Sequence, residues 1–161
     1  MTAWQLRRAN RDDVAAIMEL ERATFTTDAW SERSMLGEVA SEHTYYLVAF
    51  EPEHPERIDG YAGLLAPAGA PEGDIQTIAV APAARRHGLG RALMLALVGE
   101  ARKRGAREVF LEVRADNPGA QTLYRALGFE EIGVRPRYYQ PDDVDALVMR
   151  LVVPTPETTV A

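Results

Sequence analysis

The run Ile78-Ala79-Val80-Ala81-Pro82-Ala83-Ala84-Arg85-Arg86-His87-Gly88-Leu89-Gly90-Arg91 constrains the fold more than any other stretch. Residues 78–80 are a short β-prone run. Pro82 closes it, because proline cannot donate to a sheet ladder. Leu89, Leu93, Leu97 and Ala101 then recur every four residues and predict a helix over 88–104, with Gly105 as its left-handed stop. The reading is a strand, a tight basic loop and a helix start. At a helix start successive backbone N–H groups lack partners and the dipole is positive. Glycines let such a backbone close on a ligand, so the loop is a candidate phosphate cradle. The plain alternative is a basic turn capping an ordinary helix. A P-loop is excluded, since no glycine–lysine–hydroxyl run exists. A Rossmann fingerprint is excluded because Leu93 stands where the third glycine would fall.

The rest of the chain supplies elements around this unit. Residues 4–8 predict a first strand. Asn10 caps a helix carrying Val14, Ile17, Met18, Glu21 and Phe25 at helical spacing, and Ser31 caps a second with Met35, Leu36 and Val39. Residues 45–50, 58–66 and 74–80 read as three strands joined by proline- and glycine-rich connections. Residues 108–114 alternate as a strand. Asn117-Pro118 opens a helix whose face is Ala120, Leu123, Tyr124 and Leu127, and Gly128 ends it. Residues 129–134 and 146–153 read as the last strands, with 135–143 as a loop between them. The order β-α-α-β-β-β-α-β-α-β-β predicts a mixed α/β (α+β) fold with a mainly antiparallel sheet and about four helices. The unit from 74 to 114 predicts one parallel pair.

Length and composition set the scale. The 161 residues suit one domain, expected over 1–153, with 154–161 as a disordered tail. A net charge of -6 disfavours a nucleic-acid or membrane-surface partner. No run is long enough to span a bilayer and no signal-peptide core is present, so a cytoplasmic protein is expected. With no cysteine there is no disulfide and no thiolate site, and His43, His54 and His87 have no metal spacing, so no metal is expected.

The loop's pattern Arg85-x-x-Gly88-x-Gly90, the run Asn117 to Phe129 with Ala120, Leu123-Tyr124 and Gly128, and their separation resemble the GCN5-related N-acetyltransferase (GNAT) family. Thr77-Ile78-Ala79-Val80, Leu111-Glu112-Val113-Arg114 and Arg137-Tyr138-Tyr139 are similar to its ribosomal-protein-alanine, RimI-type branch. Trp30-Ser31 resembles that branch's Phe-Pro-Trp-Ser stretch, except that Ala29 replaces the proline and Phe25 lies further upstream.

The resemblance implies the GNAT fold and acetyl-CoA as cosubstrate. It implies that Ile78, Ala79 and Val80 offer backbone groups to the pantetheine arm. The loop Arg85, Arg86, His87, Gly88, Leu89, Gly90 and Arg91 would wrap the pyrophosphate, and Asn117 would also contact the cofactor. Glu112 would be the base and Tyr124 the acid. Trp30, Tyr138 and Tyr139 would line the acceptor site, and the acceptor would be the N-terminal alanine of small-subunit ribosomal protein bS18. Chemistry agrees with an α-amine, whose pKa of about 7.7–8.0 lies far below the 10.4 of lysine. Each residue also has a plain reading: Glu112 an edge carboxylate paired with an arginine such as Arg114, Tyr124 a core aromatic, Asn117 an N-cap, Tyr138 and Tyr139 surface aromatics. Two other functions remain open at this point. One is a GNAT enzyme acting on lysine or a small amine; the other is a non-catalytic CoA-binding module.

Overall fold

A computed structural model describes residues 4–153. The order is β1 (Gln5–Arg8), α1 (Val14–Thr24), α2 (Glu32–Ala40), β2 (Thr44–Phe50), β3 (Gly60–Leu65), β4 (Glu72–Val80), α3 (Leu89–Lys103), β5 (Glu108–Arg114), α4 (Pro118–Ala126), β6 (Glu130–Tyr139) and β7 (Val144–Val152). The predicted helices and strands all form. The expected tail, 154–161, lies outside the described residues.

The strands make a single sheet in the order β1-β2-β3-β4-β5-β7-β6. All neighbours are antiparallel except β4 and β5, the pair joined through α3. Strand alternation sorts the side chains onto two faces. Leu89, Leu93, Met94, Leu97 and Ala101 of α3 pack with Leu64, Val109, Leu111 and Met149 of the sheet on one face. Val14, Ile17 and Met18 of α1, with Met35 of α2, pack on Tyr46, Val48, Tyr61 and Ala79 on the other. Local caps start the helices as the sequence implies. Ser31 Oγ accepts the Ser34 N–H at 3.1 Å, and Asn117 Oδ1 accepts the Ala120 N–H at 3.2 Å.

One expectation is corrected. The segment 135–143 is not one loop: β6 continues to Tyr139, with Arg135 opposite Ala146 and Tyr139 opposite Val144. Pro136 is tolerated because β6 is an edge strand, where a missing N–H breaks no ladder. Gln121 joins the buried face of α4, where its Nε2 donates to the carbonyls of Arg114 and Ala115 at 3.0 and 3.2 Å.

Candidate active site

The sheet opens between β4 and β5. Pairing covers Glu72 with Glu108, Gly73 with Val109 and Asp74 with Phe110, then stops, while β4 runs on to Val80 and β5 to Arg114. Beyond that point each strand has backbone groups without a ladder partner, and an extended ligand can add to such an edge as a strand would. Ile78, Ala79 and Val80 lie on this stretch of β4. Ile78 and Val80 pack against the α3 side of the core and Ala79 is buried on the α1 side, so their main offer to a ligand is backbone.

The loop after β4 carries a run of backbone donors. Arg86 and Gly88 both adopt left-handed φ, 66° and 80°, so the chain bends back and forth before α3 begins at Leu89. From 86 to 91, no backbone N–H makes a close, well-aligned backbone hydrogen bond among the described residues. Consecutive free amides at a helix start are an anion site. Arg85, Arg86 and Arg91 make no ion pair among the described residues, so their charge is available to phosphates. The Arg85 Nε donates to the Val80 carbonyl at 3.0 Å, which ties the loop to the strand end. The His87 ring stands 5.7 Å from that of Trp4, turned to β1, which leaves its backbone rather than its imidazole for the cradle. Gly90 lies close to α4: a Cβ there would meet Leu123 Cδ2 at 3.3 Å, a tight contact, and Val80 Cγ2 at an ordinary 3.9 Å. Asn117 caps α4 with its side chain.

Glu112 and Tyr124 approach the opening from its two sides. On β5, Val109, Leu111 and Val113 point into the α3 side of the core, so Glu112 faces the α1 side. It pairs with Arg135 at 3.4 Å, not with Arg114. Tyr124 projects from α4 on the other side, with its ring edge-on to Phe129 at 6.1 Å. Its ring is buried, yet its hydroxyl has no hydrogen-bond partner among the described residues, and no fully enclosed side-chain oxygen there is left unpaired. The hydroxyl tip therefore keeps a small exposure although the ring is buried. Burial pushes the phenol up to about 12. Tyr139 stands between the two: burial raises its pKa first, followed by Glu112, Tyr138, Asp28 and Tyr124 as neighbours. Tyr138 is raised chiefly by interaction with Glu112, ahead of burial. The structure thus brings Glu112, Tyr124, Tyr138 and Tyr139 together.

Trp30 lies just before α2, partly buried against the α1 side of the core, and is placed by a residue the sequence reading did not assign. Glu21 of α1 is 1% exposed. Its carboxyl accepts the Trp30 backbone N–H at 2.9 Å, the Tyr61 hydroxyl, and the Thr77 hydroxyl at 3.4 Å. A carboxylate on the apolar stripe of α1 was the available signal, since charged residues are rarely enclosed without partners. Arg114 was a second omission. Its guanidinium meets Asp28, Asp116 and Asp142 and lies 5.2 Å from the Tyr139 ring centre. No group of side chains able to hold a metal occurs among the described residues, and no helix is long and apolar enough to cross a membrane.

The fold agrees with the comparisons to known proteins. The acetyltransferase (GNAT) family matches residues 14–129. The N-alpha-acetyltransferase RimI of Mycobacterium tuberculosis is 38% identical over 143 residues, which is 87% of this chain and 87% of that protein. An uncharacterized protein of Mycobacterium leprae is 39% identical over 141 residues, 86% of this chain; the chain spans only 38% of that protein's length. The crystal structure of the ribosomal-protein-alanine N-acetyltransferase of Escherichia coli superimposes with a TM-score of 0.79 at 28% identity, covering 99% of each chain. The chain belongs to the acetyltransferase (GNAT) family, within its RimI-like branch.

Proposed function

We propose that the chain moves the acetyl group of acetyl-CoA to an N-terminal α-amine, with the alanine at the start of ribosomal protein bS18 as its acceptor. The observation that carries this reading is the opening between β4 and β5. It has free loop amides beside one strand end, and Glu112 and the unpartnered Tyr124 hydroxyl beside the other. The names of the relatives favour the α-amine and bS18 over other acceptors. Such an acceptor is cytoplasmic.

Each group then has a task. The amides of 86–91 and the nearby arginines hold the pyrophosphate, and the free edge of β4 aligns the pantetheine arm. Glu112 takes the proton that the amine sheds as its nitrogen bonds the thioester carbonyl carbon. Tyr124 gives its hydroxyl proton to sulfur as the C–S bond breaks, leaving an acetylated amine and the CoA thiol. Burial keeps the phenol protonated at neutral pH, so Tyr124 carries the proton that the sulfur takes. The proton on Glu112 returns to Tyr124 through solvent. An α-amine needs only a modest base here, because its pKa lies about 2.5 units below that of lysine.

The test is direct. The protein is incubated with acetyl-CoA and a peptide copying the bS18 N-terminus of the same organism, and mass spectrometry locates the acetyl group. An N-terminally blocked peptide with an internal lysine is the control. Acetylation confined to the α-amine supports the reading. CoA binding without α-amine transfer removes this acceptor, and transfer to the blocked peptide alone favours lysine.

A further inference from the structure

The open end of the sheet is bridged by two loops from opposite sides. The α1–α2 connection, residues 25–31, belongs to the helices over β2, β3 and β4. The β6–β7 turn, residues 140–143, belongs to the strands beyond β5. These segments are far apart in the sheet order, yet the Thr27 hydroxyl donates to Asp142 Oδ2 at 2.6 Å. Arg114 sits beneath that contact. Its guanidinium lies 3.6 Å from Asp28 of the first loop and 3.2 Å from Asp142 of the second. It also binds Asp116 of its own turn through two nitrogens, at 3.0 and 3.1 Å. Its face rests on Tyr139, which stands beside Glu112. A planar fork of five donors can meet three carboxylates and an aromatic face at once; an ammonium cannot.

We propose that Arg114 is a positioning residue that latches the α1–α2 connection to the β6–β7 turn and so sets the width of the acceptor entrance above Glu112. This rests on the transferase reading above for the side at which the acceptor enters. Partly exposed ion pairs add little to folding stability, so the network's consequence is loop placement. It leaves the cradle at 86–91 untouched, because none of its members belongs to that loop. An entrance whose two walls are tied together in this way discriminates by shape between a chain end and a side chain on a continuing backbone.

The experiment compares wild type with Arg114→Lys, which keeps the charge but not the fork, and with Thr27→Val, which removes the second bridge without touching Arg114. Hydrogen–deuterium exchange is followed over 25–31 and 140–143. Kinetics are measured with the α-amine peptide and with the blocked internal-lysine peptide. Both variants are expected to speed exchange in the two segments together, Arg114→Lys more strongly. Arg114→Lys is expected to raise the acceptor KM about tenfold, and to raise the lysine-to-α-amine rate ratio, with the CoA Kd within about twofold of wild type. Unchanged exchange in a folded Arg114→Lys protein, or faster exchange in one segment alone, overturns the latch. Loss of CoA binding in step with acceptor KM would also overturn it, since that marks a general structural role. If wild type binds CoA but leaves the α-amine peptide unmodified, the acceptor reading fails, and the exchange measurement still decides the latch.

Discussion

The Glu21 carboxyl accepts the Trp30 backbone N–H at 2.9 Å from inside the core, and the same group accepts the Thr77 hydroxyl of β4. One side chain therefore ties the loop on the acceptor side to the strand that leads into 78–80. Glu21→Ala would leave the Trp30 N–H, the Tyr61 hydroxyl and the Thr77 hydroxyl without this acceptor. The expected loss of stability is about 3 kcal/mol, measured by urea unfolding. Glu21→Gln keeps one acceptor oxygen and should fold with a smaller loss. Its acceptor KM should rise several-fold, because the loop at Trp30 is no longer fixed from two directions. An unchanged acceptor KM in a folded Glu21→Gln protein would limit Glu21 to a structural role.

Tyr124 joins catalysis to alkaline stability. Its ring is buried and its phenol is raised to about 12 by desolvation, against an ordinary value near 10. Below about pH 10 the tyrosine is neutral in both the folded and unfolded states, and stability is intact. Between about 10 and 12 the unfolded chain loses the proton while the folded chain keeps it, so stability falls as pH rises. Two units correspond to about 3 kcal/mol. Tyr124→Phe should therefore reduce the stability lost between pH 9 and 11, seen in denaturant midpoints. It should also lower kcat with little change in acetyl-CoA affinity. An unchanged kcat would remove the hydroxyl from the reaction.

The fold was largely legible because its signals are local. The period-four row Leu89, Leu93, Leu97 and Ala101, the caps Ser31 and Asn117, and the stop at Gly105 act within a few residues. The continuation of β6 past Pro136 was not legible: proline argues against a central strand, and only the sheet order shows that β6 is an edge. At the site, Glu112 and Tyr124 come from a motif, but their partners do not. Arg135, not Arg114, pairs with Glu112, because strand register across β5, β7 and β6 decides which arginine lies alongside. Arg114 is instead drawn to Asp28 and Asp142, residues distant in sequence. Glu21 was visible only as a charge on an apolar stripe; the three donors that justify it come from the α1–α2 connection, β3 and β4.

Glu112→Gln is nearly isosteric and tests base catalysis. It removes the proton acceptor and weakens the contact with Arg135, but leaves the core, since the side chain is only partly covered. Turnover should fall by roughly a hundredfold or more, while isothermal titration with CoA should give an unchanged Kd. Equal losses in turnover and CoA affinity would make Glu112 a structural partner of Arg135.

The cradle can be tested by one backbone substitution against a matched control. Gly88 has φ of 80° and Gly69 has φ of 82°, and a Cβ at either would meet nothing within 4 Å. Alanine at both sites carries the same left-handed penalty, about 1–2 kcal/mol. Only Gly88 lies in the run of free amides that precedes α3; Gly69 lies in the β3–β4 connection, where its N–H is bonded to the Arg104 carbonyl. Relief of the strain at residue 88 would rotate the neighbouring N–H groups out of their present directions. Gly88→Ala should therefore raise the acetyl-CoA KM about tenfold with the acceptor KM unchanged, whereas Gly69→Ala should lower Tm by a similar amount and leave the acetyl-CoA KM alone. If both variants shift the acetyl-CoA KM equally, lost stability rather than lost amide geometry is the cause, and the loop is no phosphate cradle.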